Sequence, residues 1–235
     1  MKKLLFGIFA HPDDEAFGPS ATLYKAAQAG TDVHLIVVTD GDSGANVDGH
    51  KDLASIRRTE WQKSGTLIGA RSMKALGYSD GKLCNDMYHA ISDEIIEHIA
   101  SVIATYSDEL SIDFMTFEPQ GISGHLDHIA VSMITTYIYE TLRQKNYNAA
   151  TIDTLKYFCL SHTMQPQANT NWVYMPAGRA VAAIDESVDY NDCAQKKLEI
   201  MSVHHTQRHD MEQILQSRAH IPKSKRNVDH FYYYK

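Results

Sequence analysis

Short apolar runs alternate along the first 145 residues with segments whose apolar positions return every three to four residues. Leu4–Ala10 is an apolar run closed by a proline, the pattern of a strand buried on both faces, and Val33–Thr39 repeats it. Ser72–Leu76 and Ile112–Phe117 read as the third and fourth strands. Between them the spacing predicts helices over Ala21–Ala29, closed by Gly30, and from Asp52 to about Ile68, ending near Gly69. A long helix is expected from Asp86 to about Tyr106, with Ile91, Ile95, Ile99 and Val102 on one face, and another from about His125 to Arg143. Leu155–Ser161 and Ala180–Asp185 are read as later strands, and Asn191 to about Val203 as a helix.

Strand and helix in alternation imply an α/β fold: a Rossmann-like, mostly parallel sheet with helices on both faces, extended by C-terminal strand and helix elements. There is no internal repeat or low-complexity linker, so residues 1–235 are expected to form a single domain. Ligands bind such sheets at the carboxyl ends of the strands. His11–Glu15, Asp40–Gly44, Tyr78–Gly81 and Glu118–His128 each follow an expected strand, so the polar chemistry collects on one edge.

Composition narrows the functional classes. A formal net charge of −7 argues against a nucleic-acid partner, which needs a basic face. The three cysteines, Cys84, Cys159 and Cys193, are far apart and form neither a disulfide framework nor a cysteine metal site. The apolar start is cut short by His11-Pro12-Asp13-Asp14-Glu15, which does not suit a signal peptide, and no stretch is long enough to span a membrane. A cytoplasmic location is expected.

His11-Pro12-Asp13-Asp14-Glu15 crowds three acids directly after a buried strand, which calls for a cation or hydrogen-bond donors in compensation. Imidazole and carboxylate are zinc ligands, and a catalytic zinc takes three of them with a position left for water. In an extended loop neighbouring side chains diverge, so one aspartate can bind metal while the other faces the water. Acids favouring the first turn of a helix would explain the acidity, but not His11 or the position after the strand. In Gly124-His125-Leu126-Asp127-His128 the two histidines, three apart at a helix start, share a face. Either can complete the ligand set while the other serves as acid or oxyanion stabiliser. In a chain with 13 histidines the pair would mean little without its place at the same sheet edge.

These motifs resemble those of the PIG-L/LmbE family of zinc-dependent N-acetyl deacetylases. The resemblance rests on Ala10–Glu15 (AHPDDE) and His125-Leu126-Asp127-His128 (HxDH). Arg57 and Glu60 on the second helix, Leu76–Gly81, and Lys197 followed by His204-His205-Thr206-Gln207 extend it, so that it runs from about residue 3 to 215. It implies one zinc per chain held by His11, Asp14 and His128, with Asp13 as general base, His125 as acid and Asp127 orienting His125. It further implies that Arg57 reaches substrate oxygens, Asp80 a sugar hydroxyl, and that His204 lines the pocket. On spacing alone, an Arg57–Glu60 salt bridge is as good a reading. The implied partner is a small N-acetylated, sugar-like substrate, whose identity would lie in loops at about 40–52, 78–88 and 162–178.

Other classes make different demands. A nucleotide-binding module predicts a glycine-rich turn where His11–Glu15 stands. A non-catalytic sugar binder has no use for Asp13, and hydrolysis of another amide or of an ester would use the same metal. The sequence sets no oligomeric state and is compatible with a homo-oligomer; the aromatic tail Tyr232–Tyr234 is expected to serve packing or a subunit contact.

Overall fold

The computed structural model describes residues 1–145, 150–166 and 174–235. The elements in chain order are β1 (Lys2–Phe9), α1 (Asp14–Phe17), α2 (Ser20–Gln28), β2 (Asp32–Thr39), α3 (Leu53–Ile68), β3 (Ser72–Tyr78), α4 (Asn85–Ile103) and β4 (Leu110–Phe117). They continue with α5 (Gly121–Gly124), α6 (Leu126–Gln144), β5 (Ala150–Cys159), β6 (Glu186–Asp189), α7 (Ala194–Ser202), α8 (Arg208–Ser217), α9 (Lys223–Arg226) and β7 (Val228–Tyr233). One seven-stranded sheet runs in the order β3-β2-β1-β4-β5-β7-β6. β1 to β5 pair in parallel, and β7 adds antiparallel to both β5 and β6.

The apolar runs behave as strands covered on both faces, because successive side chains point to opposite sides. Leu4, Phe6 and Ile8 pack against Ile91, Ile95 and Ile99 of α4 and Val131, Ile134 and Ile138 of α6. Leu5 and Phe9 pack on the other face with Leu23 of α2, Trp61 of α3 and Ile200 of α7. Helix ends follow local chemistry: the Asp52 carboxylate accepts from the Ser55 N–H at 3.0 Å, and Gly69, at φ 86°, closes α3 in a conformation that suits glycine. The chain order reverses between β1 and β4, so the carboxyl ends of these neighbours form the crevice where ligands of such sheets bind.

The C-terminal part departs from the sequence reading. Ala180–Asp185 is not a strand: Val181–Ala183 form a 3-10 turn with Val181 exposed, and the strand is the short, polar Glu186–Asp189. A sheet edge needs no apolar run, which is why the pattern pointed elsewhere. Expected as one helix, Asn191–Val203 begins with a 3-10 turn, Asn191–Cys193, before α7. The aromatic tail packs within the chain: Phe231 of β7 is fully buried, and the Arg179 guanidinium lies 3.4 Å from the centre of the Tyr232 ring. No helix among the described residues is long and apolar enough to cross a membrane.

Candidate active site

β1 ends at Phe9, and the chain turns at once into the four-residue α1, which sets His11, Asp13 and Asp14 side by side and nearly buried. Asp14 is held by backbone: its Oδ2 accepts from the N–H groups of Ala10 (3.1 Å) and His11 (2.8 Å). Its Oδ1 lies 3.2 Å from His128 Nε2, and its Oδ2 lies 3.5 Å from His11 Nδ1. His11 Nδ1 and His128 Nε2 are themselves 3.1 Å apart. Burial alone would push the Asp14 carboxyl up, but His128 and His11 beside it hold it well below the usual carboxylate range.

His128 arrives from the loop after β4. Gly121 and Gly124 both have positive φ, and Ile122 between them takes φ 62°, the left-handed region that a β-branched residue avoids. Such a residue costs about 1–3 kcal/mol and persists only where its surroundings dictate it. Here the turn presents the Gly121 carbonyl to His128 Nδ1 at 3.0 Å. Nδ1 therefore carries the proton, and the lone pair of Nε2 faces His11 and Asp14.

His11 is fixed from its other side: Nε2 lies 3.1 Å from Asp80 Oδ1 and 3.5 Å from Asp127 Oδ2. Although burial opposes its charge, Asp14, Asp127 and Asp80 raise the His11 imidazole well above its ordinary value. His11 Nε2 has no well-aligned hydrogen-bond acceptor, so the cluster holds it by charge more than by geometry. The donor set fits a metal. Around a tetrahedral zinc with bonds of about 2.0–2.1 Å, ligand atoms stand about 3.3–3.5 Å apart; His11 Nδ1 and His128 Nε2 are 3.1 Å apart, and the two Asp14 oxygens approach them separately, Oδ1 to His128 at 3.2 Å and Oδ2 to His11 at 3.5 Å. Ring nitrogens of His11, His125 and His128 also lie within 4.8 Å of one another, as do donor atoms of His11, Asp80 and Asp127.

Asp13 stands next to this set and accepts from Arg57 Nη2 at 2.9 Å. Burial pushes its carboxyl up, against the pull of Arg57 and with help from Asp14, to about 6. Arg57 does not pair with Glu60. Besides Asp13 it reaches the carbonyls of Gly41 (2.8 Å) and Pro12 (3.4 Å), while Glu60 accepts from the Thr206 N–H and hydroxyl at 2.9 and 2.6 Å. Both tertiary partnerships override the helical spacing, and they direct the Arg57 donors to Asp13 and the loop carbonyls.

The expected partnership of Asp127 with His125 is also redrawn. The Asp127 carboxylate accepts from the Gly81 N–H at 2.7 Å and faces His11; it is the Asp127 backbone N–H that reaches His125 Nδ1, at 3.2 Å, in an N-cap contact. His125 Nδ1 is therefore an acceptor, which places the proton on Nε2. Burial, followed by the neighbouring His128 and His11, pushes this imidazole down to about 4.

His204 does not line the pocket. It is fully buried behind α1, its Nε2 3.3 Å from Glu15 Oε1, with the Phe17 ring against it. Glu15, quoted only as part of the first motif, and Asp229, which sequence reasoning missed, are both buried acids with partners of their own. Lys197 Nζ donates to Gly18 O (2.6 Å) and Asp229 Oδ1 (2.8 Å), while Asp229 Oδ2 accepts from Thr22 N and Oγ1. With Gln207 Nε2 on Ala45 O at 3.1 Å, the Lys197–Gln207 segment braces the loops that carry the site. The resemblance singles out Lys197 and Gln207, but nothing local in the sequence points to Asp229 as the partner of Lys197.

A cavity of about 750 Å³ opens over these groups. His11, Asp13, Asp14, Arg57, Asp80, His125 and His128 line it, and Phe17, Phe117, Phe158, Leu160 and Ile122 supply apolar wall. Ser43, Gly44 and Ala45 of the Asp40–His50 region and Gln165, Pro166 and Met175 of the 162–178 loop border it; residues 167–173 of that loop lie outside those described.

Residues 6–139 match the family model described as PIG-L, GlcNAc-PI de-N-acetylase. The chain belongs to that family. It is 33% identical over 133 residues to a probable N-acetylglucosaminyl-phosphatidylinositol de-N-acetylase of Schizosaccharomyces pombe, covering 55% of this chain and 49% of that protein. It is 32% identical over 131 residues to the diacetylchitobiose deacetylase of Thermococcus kodakarensis, covering 54% and 45%. The chain thus spans about half the length of the curated PIG-L relatives it matches. Among solved structures, the N,N'-diacetylchitobiose deacetylase of Pyrococcus horikoshii superposes with a TM-score of 0.68 at 19% identity, covering 99% of this chain and 84% of that one. GalB, a 4-carboxy-2-hydroxymuconate hydratase of Pseudomonas putida, superposes at 0.64 and 15% identity, covering 100% and 97%. The fold therefore carries more than one chemistry, and the reaction must be argued from the site.

Proposed function

We propose that this chain is a zinc-dependent hydrolase that removes the acetyl group from an N-acetylglucosamine-type substrate. The observation that carries the proposal is the meeting of His11, Asp14 and His128 donor atoms at 3.1–3.5 Å beside an Arg57-paired Asp13. His11, Asp14 and His128 would hold the metal. When bound, zinc supplies Lewis acidity, lowering the pKa of a water towards about 7 and polarising the acetamide carbonyl. The relatives acting on N-acetylated glucosamine groups support the choice of substrate class.

The residues of the chain divide the proton work. Asp13, poised at about 6, is mostly ionised near neutral pH and takes the proton of the attacking water. Arg57 keeps that carboxylate in place. His125, pushed down to about 4, is neutral there, and its Nε2–H donates a hydrogen bond to the developing oxyanion without giving up the proton. The proton collected by Asp13 then passes to the departing nitrogen, so this assignment moves the acid role from His125 to Asp13. Water and the acetamide become acetate and a free amine. Asp80 and Asp127 hold His11 from behind, as carboxylates orient metal-binding imidazoles. Acetate release from a panel of N-acetylated sugars, with and without added zinc, tests the proposal; no release from any member would overturn it.

A further inference from the structure

The cavity extends past the acid–base groups to a second wall formed by α8. Asp210, Gln213, Ile214, Ser217 and the following Arg218 all line it, a spacing that puts them along one helical face. Asp210 lies at the end near Arg57, whose charge it feels. Arg218 lies eight positions on, about 12 Å along the helix axis from Asp210.

The two arginines of the cavity wall differ in one respect. Arg57 is tied to Asp13 and two carbonyls, whereas Arg218, of intermediate burial as a residue, makes no side-chain hydrogen bond or ion pair with the described residues. The carboxylate that it feels, Asp229, is already occupied on both oxygens, by Lys197 on one and by Thr22 on the other. Lys197 and Arg218 therefore share a single negative charge, leaving one positive charge in excess at this end. A guanidinium is a planar fork matched to carboxylate or phosphate oxygens, and away from bulk water such a pair is strengthened.

Resting on the deacetylase reading for its orientation, we propose that Arg218 forms a subsite for an anionic substituent, carboxylate or phosphate, on the part of the substrate remote from the acetamide. The substrate would then be an N-acetylated amino sugar carrying a negatively charged group, with the neutral sugar spanning the cavity between the two ends. Gln213, whose Nε2 pairs with His209, and Ser217, whose hydroxyl donates to the Ile214 carbonyl, leave their oxygens as acceptors for the portion in between.

Calorimetric titration with three probes tests this: methyl N-acetylglucosaminide, N-acetylglucosamine 1-phosphate and carboxymethyl N-acetylglucosaminide. For the native chain at least one anionic probe should bind more tightly than the methyl glycoside, and which one does so separates phosphate from carboxylate. In Arg218→Met the affinity ratio of that anionic probe to the methyl glycoside should fall tenfold or more. Arg218→Lys, which keeps the charge and loses the fork, should recover part of the ratio. A ratio unchanged in Arg218→Met, or no preference for either anion in the native chain, overturns the proposal. Circular dichroism of both variants shows that the fold is retained, and Arg218→Lys carries the test if Arg218→Met is unfolded. Acetate release from the methyl glycoside by the native chain is read separately, so that loss of the deacetylase reading and loss of the anionic subsite give different results.

Discussion

The two ends of the parallel sheet each bury a histidine among polar groups, with opposite outcomes. At the amino end His34 of β2 has both nitrogens engaged, Nδ1 with Ser72 Oγ at 2.6 Å and Nε2 with Tyr106 Oη at 3.3 Å. Tyr106 donates in turn to Asp32 at 2.7 Å, and Lys2 lies 2.9 Å from the same carboxylate. That cluster is satisfied in hydrogen bonding, and burial pushes His34 down to about 4. At the carboxyl end His11 faces Asp14, Asp80 and Asp127, its Nε2 lacks an aligned acceptor, and the carboxylates raise it. The lesson is that burial of a polar cluster does not by itself mark a site. A surplus of one charge together with lone pairs aimed at one point does, because only a cation relieves both.

Removing the ligands should break this contrast most completely. The double variant Asp14→Ala/His128→Ala is expected to lose zinc and all measurable acetate release, while His34→Gln keeps both. Elemental analysis of the purified proteins reads the first and a product assay the second. Unchanged zinc in the double variant would overturn the ligand assignment.

Next in size is the buried pair behind the site. Lys197→Met removes the cation bonded to the buried Asp229, and breaking one side of such a pair costs about 3–5 kcal/mol. Urea unfolding should show that loss, and Lys197→Met/Asp229→Leu should recover part of it. Equal stabilities of the native chain and Lys197→Met would show that Thr22 and the neighbouring Arg218 suffice for Asp229.

Asp13→Asn comes third. The amide keeps the shape but cannot take the proton of water, so kcat should fall by roughly a hundredfold or more with zinc retained. The remaining wild-type activity should rise with pH through about 6, as Asp13 ionises, and that limb should disappear in the variant. Loss of metal in Asp13→Asn would make Asp13 a ligand instead of a base.

The sequence already revealed the parallel sheet and the gathering of His11, Asp13, Asp14, His125 and His128, because both follow from local rules: apolar runs make buried strands, and motifs after strands land on one edge. What escaped it depended on distant partners. Arg57 and Glu60 are a sound helix pair by spacing, yet each finds a better partner far along the chain, Asp13 and Thr206. His204 is expected in the pocket only through the resemblance, and Glu15 draws it inside. The strained turn at Ile122, which aims His128, has no signature beyond its flanking glycines. The edge strand Glu186–Asp189 alternates too briefly to be seen.

The smallest expected effect concerns the amino end. Its signature is acid sensitivity of stability. The folded state holds His34 at about 4, against an ordinary value of 6.5, so between these values the unfolded chain binds the extra proton. Stability contributed by the neutral, hydrogen-bonded imidazole is therefore fully present above about pH 6.5 and is lost as pH falls towards 4. Between pH 7 and pH 5 the loss should reach up to about 2 kcal/mol. Other groups titrate in the same range, so the comparison must be with His34→Gln, which keeps a hydrogen-bonding side chain and does not titrate. The native chain should exceed the variant in unfolding free energy by more at pH 7 than at pH 5, and the gap should narrow by that amount. A gap independent of pH would mean that His34 takes up its proton in the folded state as readily as in the unfolded one. The amino-end cluster would then accommodate charge much as the carboxyl end does, and the contrast between the two ends of the sheet would fail.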